Sequence, residues 1–483
     1  MRLLTHNIHS RTLEAFADAV DAQIQTFDMW CAEKEEAICR ALAGRGDPLV
    51  VSLLSLEKDV RDTFSGTFDV VLDILHRLVG YICQSHSRLD QAVWNIPSMP
   101  TRLPSAVVSA LLLDLLLQAT EEQWSMGNVS ASDSLATVFA KTSEPIWHMI
   151  GKWLRDGMPV RNVWDSLDDT QALDEEFFIE DNELPLLDPD LWSDGYVLRS
   201  PVVLEDGEKK QSAVPAFLGP AVNNILGTGK AIGLLRMMGI YFFSESATGK
   251  QHPLFDRKTF AQLFESSPAS LRNSESSSYL ISEELSAYCL AAGLRLSRVL
   301  TEECELSRHL AAVEGLYLMT RGDVMSNFTD VIFAKVRLSS IPFSRALLDQ
   351  LNDVKMDSQQ AWNDFHFLNS AFRDVVEATN SDWIDASLIR LSYRGNKAAT
   401  ITSTVKVVEG LLVEYTLPFP LTYIFTPNVL KSYCSLFVFL LQVRRAKCVL
   451  ERILFRGAVT NVGLRSELKV FYAMRGKLSW FIK

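Results

Sequence analysis

The chain is poor in the residues that mark several protein classes. Its 483 residues include only 23 glycines and 17 prolines, which excludes a collagen-like or low-complexity chain. The seven cysteines form no CxxC pair and no Cys/His group at zinc spacing, so no disulfide framework or zinc site is predicted. No apolar run approaches the roughly 20 residues of a transmembrane helix, and the N-terminus has no apolar signal-peptide core. The sequence therefore predicts a soluble, intracellular protein with reduced thiols.

Positive charge is also scarce. The chain carries 47 basic and 59 acidic residues, a net charge of −12, which argues against a dedicated nucleic-acid binder. Hydrophobic residues make up 48% of the chain, enough to form a large core. At about 100–200 residues per domain, the length predicts roughly two to four domains.

Signatures of catalysis are missing as well. The sequence has no HExxH, GxSxG or kinase motif. Gly227–Lys230 looks like part of a phosphate-binding loop, but Asn224 replaces the required first glycine and Ala231 replaces the required Ser or Thr. Asp188–Gly195 looks like a calcium loop, but Trp192 occupies a ligand position. We therefore predict no enzymatic activity, no cofactor and no metal.

Apolar residues recur at three- and four-residue intervals through most of the chain, which predicts amphipathic helices. Thr12–Ile38 shows this spacing, with Thr12 as the expected N-cap and Gly44 as the stop. The run after Pro104 is apolar on nearly all sides, which predicts a helix buried among other helices. Ile401–Phe425, rich in Val, Thr and Tyr, predicts an extended connector or a short hairpin instead. The predicted fold is all-α, an elongated series of stacked helical bundles.

A short polar stretch divides the chain. The run Ser266–Ser278 consists mostly of serine and other polar residues, contains Pro268 and offers little to bury. We therefore predict N-terminal bundles at 1–265, a linker at 266–281 and C-terminal bundles at 282–483.

Two segments have a strongly biased charge. Asp165–Asp190 contains eleven acidic and no basic residues, which fits either a solvated loop or a docking surface for a basic partner. We expect this stretch to be largely exposed, with only Phe177, Phe178 and Ile179 packed inward, because eleven carboxylates cannot be buried unpaired. Arg444–Lys483 contains ten basic and two acidic residues, which fits RNA or phosphate contact, an acidic protein surface, or an incidental solvated face.

Several motifs in the first half occur in a particular order. They are Trp153–Gly157, Asp174–Ile179 with Phe177 and Phe178, Trp192–Arg199 with Tyr196, Val214–Leu218 with Pro215 and Phe217, and Ile225–Lys230 with Gly229. This order and spacing resembles the first conserved GRIP module of the gamma-tubulin complex components, the spindle-pole-body component family. The second half agrees with that resemblance. Its motifs are His309–Asp323 with Gly322, Leu412–Leu421 with Tyr415 and Pro418, Tyr433–Leu441, and Arg444–Lys447 with Arg445. They are similar to the second GRIP module.

The resemblance implies the fold and the function. It implies N-terminal bundles that associate laterally with sister subunits and a C-terminal half that faces gamma-tubulin, through a surface to which Arg444, Arg445 and Lys447 would belong. The chain would be a non-enzymatic subunit of the gamma-tubulin ring complex, contributing to microtubule nucleation at microtubule-organising centres or spindle pole bodies. Direct contact with nucleic acid or membrane is not expected. The alternative is a rod-shaped subunit of a membrane-tethering complex, which is also built from stacked bundles.

The motif residues and the resemblance set expectations for single residues and for the subtype. The large motif side chains are expected to anchor the core, namely Trp153, Phe177, Phe178, Trp192, Phe217, Phe437 and Phe439. Pro215, Gly229 and Gly322 are expected to serve backbone geometry. The pairs Trp30-Cys31 and Glu35-Glu36 in the first helix favour the fifth or sixth component type. The family's N-terminal extension and the last part of its second module are expected to be missing, which would weaken gamma-tubulin binding.

Overall fold

The structure is a computed structural model of the chain. It describes residues 10–44, 52–83, 103–159, 173–203, 210–240, 274–340, 365–379, 383–393, 408, 410–460 and 465–482. Helices dominate the part of the chain that the structure describes, and the strands there form three two-stranded antiparallel sheets, so the predicted all-α class is confirmed. Within the described ranges, no helix combines the length and the apolar character needed to span a membrane.

The chain forms two compact units, Met1–Ser297 and Arg298–Lys483. The first unit contains helices α1 (Arg11–Leu42), α2 (Leu53–Val60), α3 (Gly66–Cys83), α4 (Ser105–Ser125), α5 (Val129–Asp156) and α6 (Val222–Met237), and most of α7 (Ser274–Glu302). Its strands are β1 (Ile179–Asp181), β2 (Tyr196–Leu198), β3 (Val202–Val203) and β4 (Lys210–Gln211). Strand β1 pairs with β2, and β3 pairs with β4.

Helix α1 begins at Arg11 because Ser10 caps it. Ser10 has an extended backbone (φ −127°, ψ 114°), and its side chain accepts a hydrogen bond from the N–H of Leu13 at 3.2 Å. The predicted N-cap was wrong, because Thr12 lies buried inside the first turn. Ser10 and Thr12 lie close together, and both are residue types that cap helices. Residue type alone therefore does not show which of them is the N-cap. The helix ends just before Gly44, as predicted.

Helix α4 is the buried helix that the sequence predicts after Pro104. Leu112, Leu113 and Leu116 are fully buried, because α4 packs against α3 on one side and α5 on another. Asp114 is the charged residue inside this apolar run, and its carboxylate accepts a hydrogen bond from the Ala216 N–H.

The predicted linker at 266–281 is only partly described. Residues 274–281 form the beginning of α7, and residues 266–273 lie outside the described part of the chain. The two compact units divide further along, between Ser297 and Arg298, inside the same helix. Residues 274–281, most of which are polar, thus form the first turns of a helix whose later turns bury apolar side chains.

The second unit contains helices α8 (Leu306–Tyr317), α9 (Gly322–Ser340), α10 (Phe365–Ala378), α11 (Pro427–Thr460) and α12 (Arg465–Ile482). Strands β5 (Ile389–Tyr393) and β6 (Leu411–Tyr415) form an antiparallel hairpin in which Leu391 is paired with Val413. The sequence predicts an extended connector or a short hairpin in Ile401–Phe425. That range does contain β6, but the partner strand lies upstream of it.

Side chains close both outer edges of this hairpin. On β5, the Asn369 amide accepts from the Leu391 N–H and donates to its carbonyl, at 2.9 and 3.0 Å. On β6, the Val413 N–H donates to the Cys434 thiol, and the Val413 carbonyl accepts from the Tyr317 hydroxyl at 3.0 Å. A two-stranded sheet is marginal alone and presents two edges for unwanted pairing. Here the flanking helices supply the missing hydrogen-bond partners.

Helix α11 buries only one of its two motif phenylalanines. Phe437 is fully buried in the core of the second unit, as predicted. The same prediction for Phe439 was wrong, because that side chain is 51% exposed. Two residues along a helix correspond to a turn of about 200°, so a helix that buries one of them on a single face exposes the other.

Candidate functional site

Four motif aromatics of the first half meet in the interior of the first unit. Trp153, near the end of α5, lies 6.1 Å from Phe177 and 5.6 Å from Tyr196, measured between ring centroids. Phe178 lies 4.5 Å from Phe177. All four side chains are at most 3% exposed, which confirms the predicted burial of Trp153, Phe177 and Phe178. We call these four residues the aromatic cluster.

Backbone carbonyl groups satisfy the polar atoms of the aromatic cluster. Trp153 Nε1 donates to the Ile225 carbonyl at 2.9 Å, and the Tyr196 hydroxyl donates to the Pro159 carbonyl at 2.6 Å. Arg199, which directly follows β2, donates from Nε to the Phe177 carbonyl at 2.8 Å. A buried polar group without a partner would cost about 1–3 kcal/mol. These motif side chains therefore tie loops and helices together within the unit.

Helices α5 and α6 approach closely because glycines line the contact. A Cβ atom at Gly229 would lie 2.0 Å from Trp153 Nε1, which no real structure tolerates. Gly157, just after α5, has φ 70° and ψ −169°, and a Cβ there would lie 2.2 Å from the Gly233 nitrogen. The Met158 N–H also donates to the Gly229 carbonyl at 3.0 Å. The motif glycines thus set the distance between the two helices.

Lys230 also has a partner inside the unit. The side chain is 6% exposed, and its Nζ donates to the Trp192 carbonyl at 2.6 Å. Burial lowers the pKa of Lys230, while the nearby carboxylate of Asp194 raises it. Gly227–Lys230 lies in the interior of α6, so its backbone does not form a loop around a phosphate. Trp192 itself is half-buried, and it is its carbonyl group that holds the lysine.

Pro215 and Phe217 join this arrangement from a short 3₁₀ turn, Ala216–Leu218. Pro215 is buried directly before the turn. Phe217 is 2% exposed and packs its ring against Phe139 and Trp147 of α5, at 5.6 and 5.8 Å. The turn begins where the Ala216 N–H donates to Asp114 Oδ1 of α4 at 2.8 Å.

We expect Asp114 to make the stability of the first unit depend on pH. Burial raises the pKa of Asp114 from 3.8 to about 6, although the hydrogen bond from Ala216 lowers it. Between these pH values the folded chain binds more protons than the unfolded chain, so the stability that Asp114 contributes at low pH is lost as the pH rises through about 6. Asp114→Asn keeps an acceptor without the charge. We expect it to raise the free energy of unfolding at pH 7.5 by about 1–3 kcal/mol, with little change at pH 4.

Urea unfolding at a series of pH values checks this expectation. The exposed residue Asp18 of α1 provides the control, because Asp18→Asn should leave the pH profile unchanged. A profile of Asp114→Asn parallel to that of the unmodified chain would show that Asp114 is not the titrating group.

Glu176 is the functional side chain that the sequence reasoning missed. We predicted that the acidic residues of Asp165–Asp190 are exposed, and the others in the described part are at least partly so. Glu176 is 3% exposed, which corrects that prediction. Its carboxylate accepts from the N–H groups of Arg11 and Thr12 at 2.8 and 3.0 Å, and from the hydroxyls of Ser10 and Ser109. It thus caps α1, where the N-terminal end of the helix dipole favours a negative charge.

The motif residues of the second unit are also used internally. Tyr415, at the end of β6, places its hydroxyl 2.6 Å from Nδ1 of the buried His309 in α8. Burial lowers the pKa of His309 and raises that of Tyr415 to about 12. Gly322 and Asp323 form the first turn of α9, where an acidic side chain suits the helix dipole. The Pro418 carbonyl accepts from the Leu421 N–H in the turn before α11.

The three basic residues expected at a partner surface differ in exposure. Arg445 is 4% exposed, with its guanidinium 5.0 Å from the centre of the Phe333 ring. Burial lowers the pKa of Arg444, and Asp330 raises it. Arg444 and Lys447 are half-buried. The expected common surface therefore does not include Arg445, which packs inside the second unit.

No constellation for chemistry emerges in the part of the chain that the structure describes. No group of three or more His, Cys, Asp or Glu residues there is placed to hold a metal ion. The motif side chains of the first unit contact carbonyl groups, rings and helix ends within that unit. These contacts stabilise the fold of the unit, and the buried motif side chains leave little exposed surface for a ligand.

Comparison with known proteins matches both halves of the chain. Residues 3–303 match the family model described as "Gamma tubulin complex component N-terminal", and residues 306–483 match "Gamma tubulin complex component C-terminal". Three relatives, each with about 15–22% of its own length aligned, illustrate the similarity. Gamma-tubulin complex component 5 of Mus musculus is 25% identical over 174 residues, which are 36% of this chain and 15% of the relative. Gamma-tubulin complex component 2 homolog of Drosophila melanogaster is 27% identical over 206 residues, 42% of this chain and 20% of the relative. Gamma-tubulin complex component 4 of Arabidopsis thaliana is 20% identical over 171 residues, which are 33% of this chain and 22% of the relative.

Proposed function

The chain belongs to the gamma-tubulin complex component family, and from this we propose that it is a non-enzymatic structural subunit of a gamma-tubulin ring complex. In this role it would contribute to microtubule nucleation at microtubule-organising centres such as spindle pole bodies. The observation that carries the proposal is the order of the two family matches, which together cover 3–303 and 306–483. A subunit that holds other proteins in a fixed geometry needs rigid units rather than a reactive site.

Contacts between distant segments of the first unit support a scaffolding role. The aromatic cluster, the glycine contact between α5 and α6, and the Glu176 cap connect segments that are far apart in the sequence. Protein interiors are close-packed and transmit strain, so a displacement of one of these contacting segments would also displace the others. Such a unit suits lateral packing against sister subunits.

The proposed partners are gamma-tubulin and other gamma-tubulin complex components. The first unit would contact the neighbouring components, and the second unit would face gamma-tubulin. The subtype stays a prediction, because relatives named as components 5, 2 and 4 all match.

Capture of the tagged full chain from its own cells, followed by mass spectrometry, tests the proposal. We expect gamma-tubulin and at least one further component of the family among the proteins enriched over an untagged control. Enrichment of membrane-tethering proteins without gamma-tubulin would contradict it.

Exposed lysines on α12 are expected to speed the encounter with gamma-tubulin. Lys469 and Lys477 are exposed, and no acidic residue occurs between 468 and 483. Tubulins are acidic, so opposite charges should steer association and make it sensitive to salt. We expect Lys469→Gln with Lys477→Gln to slow association about three- to tenfold at low salt and to flatten its salt dependence.

Association rates measured over a salt series check this expectation. The control exchanges the exposed Lys141 and Lys152 of the first unit for glutamine, which makes the same change in net charge. Equal slowing by both double variants would assign the effect to net charge alone and contradict a role for α12.

A further inference from the structure

A groove with mainly apolar walls lies between helices α1 and α2 of the first unit. Its volume is about 680 Å³, within the roughly 300–1,000 Å³ of ligand-binding clefts. Trp30 and Ile38 of α1 line the groove, together with Leu53, Leu56 and Val60 of α2. The groove therefore offers an apolar surface on which another molecule can pack.

Helix α2 has an apolar face that the first unit does not bury. Leu53, Leu56 and Val60 recur at spacings of three and four, which is the pattern of a helix that packs along one face. Yet no residue of α2 is buried, and Leu53 is 87% exposed. A short helix gains most of its stability from packing such a face against other elements. The apolar face of α2 is thus available to a further helix.

Side chains on two adjacent rows of α1 form the opposite wall. They are Trp30, Lys34 and Ile38 in one row, and Cys31, Glu35 and Cys39 in the next. Residues four positions apart are neighbours on a helix, and adjacent rows of this kind leave a channel into which the ridge of another helix packs. The rows extend about 14 Å along α1, which corresponds to about two and a half turns of a partner helix.

The charge around the groove indicates a basic partner. Residues 21–42 and 53–65, which carry its two walls, contain eight acidic and four basic residues, a net charge of −4. The basic side chains that line the groove, Lys34 and Arg61, both form ion pairs with carboxylates of α2. The exposed Glu35 adds a negative charge at the rim. Lysine or arginine beside the apolar face of a partner helix would complement this charge.

We propose that this groove binds an amphipathic helix of a partner protein, one with large apolar residues three or four positions apart and Lys or Arg beside them. The mode is that of a helix laid into a hydrophobic groove, in which a few apolar anchors supply the affinity. The basic residues of the partner steer the encounter and fix its orientation. This inference goes beyond the proposed function and does not depend on it.

A synthetic peptide of about 14 residues probes the groove of the full chain, with leucines at spacings of three and four and lysines at the other positions. Fluorescence anisotropy of the labelled peptide measures its binding. We expect it to bind at least about tenfold more tightly than the same peptide with glutamate in place of every lysine. A scrambled peptide of equal composition has no apolar face and should bind at least about tenfold more weakly as well. No binding of the lysine peptide, or equal binding of all three, would overturn the proposal.

Two adjacent leucines of α2 test whether the peptide binds in the groove. Leu53 lines it, whereas Leu54, 77% exposed, is not among the lining side chains. We expect Leu53→Ser to weaken binding of the lysine peptide about three- to tenfold and Leu54→Ser to leave it unchanged. Both leucines are exposed, so neither change should unfold the chain, and circular dichroism verifies this. Equal effects of the two variants would place the peptide elsewhere and contradict the proposal. Self-association of the full chain that Leu53→Ser abolishes would assign the groove to a second copy instead.

A second matched pair tests the charge at the rim. Glu35 lines the groove, and Glu33 is an equally charged, exposed residue of α1 that does not line it. We expect Glu35→Gln to weaken binding of the lysine peptide about two- to threefold at low salt, with little effect at high salt, where charges are screened. Glu33→Gln makes the same change in net charge and should have a smaller effect. A Glu35→Gln variant that binds the peptide as tightly as the unmodified chain would exclude the basic partner.

Discussion

Replacing Glu176 by alanine is expected to lower the free energy of unfolding of the first unit by about 2–4 kcal/mol. The carboxylate accepts hydrogen bonds from two backbone N–H groups at the start of α1 and from two buried hydroxyls, Ser10 and Ser109. Alanine removes all four bonds and leaves the buried Thr12 N–H without its acceptor. The buried hydroxyls of Ser10 and Ser109 then have each other as partners at 3.1 Å. Urea unfolding followed by far-ultraviolet circular dichroism measures the effect.

The adjacent residue provides the matched control. Glu175 is exposed, so Glu175→Ala should change the free energy of unfolding by no more than about 0.5 kcal/mol. Equal effects of the two substitutions would mean that the loss comes from the net charge of the acidic stretch rather than from the cap.

Replacing Gly157 by alanine is expected to lower the same free energy by about 3–5 kcal/mol. Its backbone angles, φ 70° and ψ −169°, belong to a region that only glycine adopts without strain. In addition, the new Cβ would lie 2.2 Å from the Gly233 nitrogen, and a backbone atom within a packed helix cannot move aside cheaply. The variant must push α5 and α6 apart, which disturbs the Trp153 contact as well.

Gly127→Ala separates backbone strain from the clash. Gly127 also has a positive φ, 82°, but a Cβ there would meet nothing within 4 Å. We expect it to cost only about 1–2 kcal/mol, the strain of the left-handed conformation alone. If the two alanine variants unfold at the same urea concentration, the close approach of α5 and α6 contributes nothing measurable.

Local patterns account for the parts of the fold that could be predicted. The three-four spacing of apolar residues predicts where the helices lie, because burial of one face is a property of each helix alone. The burial of Phe177 and Phe178 within an acidic stretch was predictable for a similar reason, since large apolar side chains rarely stay in water beside many charges.

Contacts between distant segments could not be predicted in the same way. Glu176 caps a helix that begins 165 residues earlier, and nothing in the surrounding acidic stretch distinguishes it from Glu175. The same limit applies to Arg445. It lies in a basic segment of the sequence, which suggests an exposed surface, but it packs on Phe333 of another helix. Whether a charged residue is buried depends on which helices meet, and that information is absent from a single helix.

Sedimentation of a cell extract through a density gradient tests whether the chain is part of a gamma-tubulin complex. Antibodies against the tagged chain and against gamma-tubulin locate both proteins in the same gradient. We expect the 54.2 kDa chain to sediment together with gamma-tubulin, in a particle much larger than a monomer or a dimer of the chain. A chain found only in fractions of its own monomer or dimer, separate from gamma-tubulin, would contradict the proposed role as a subunit of a gamma-tubulin complex.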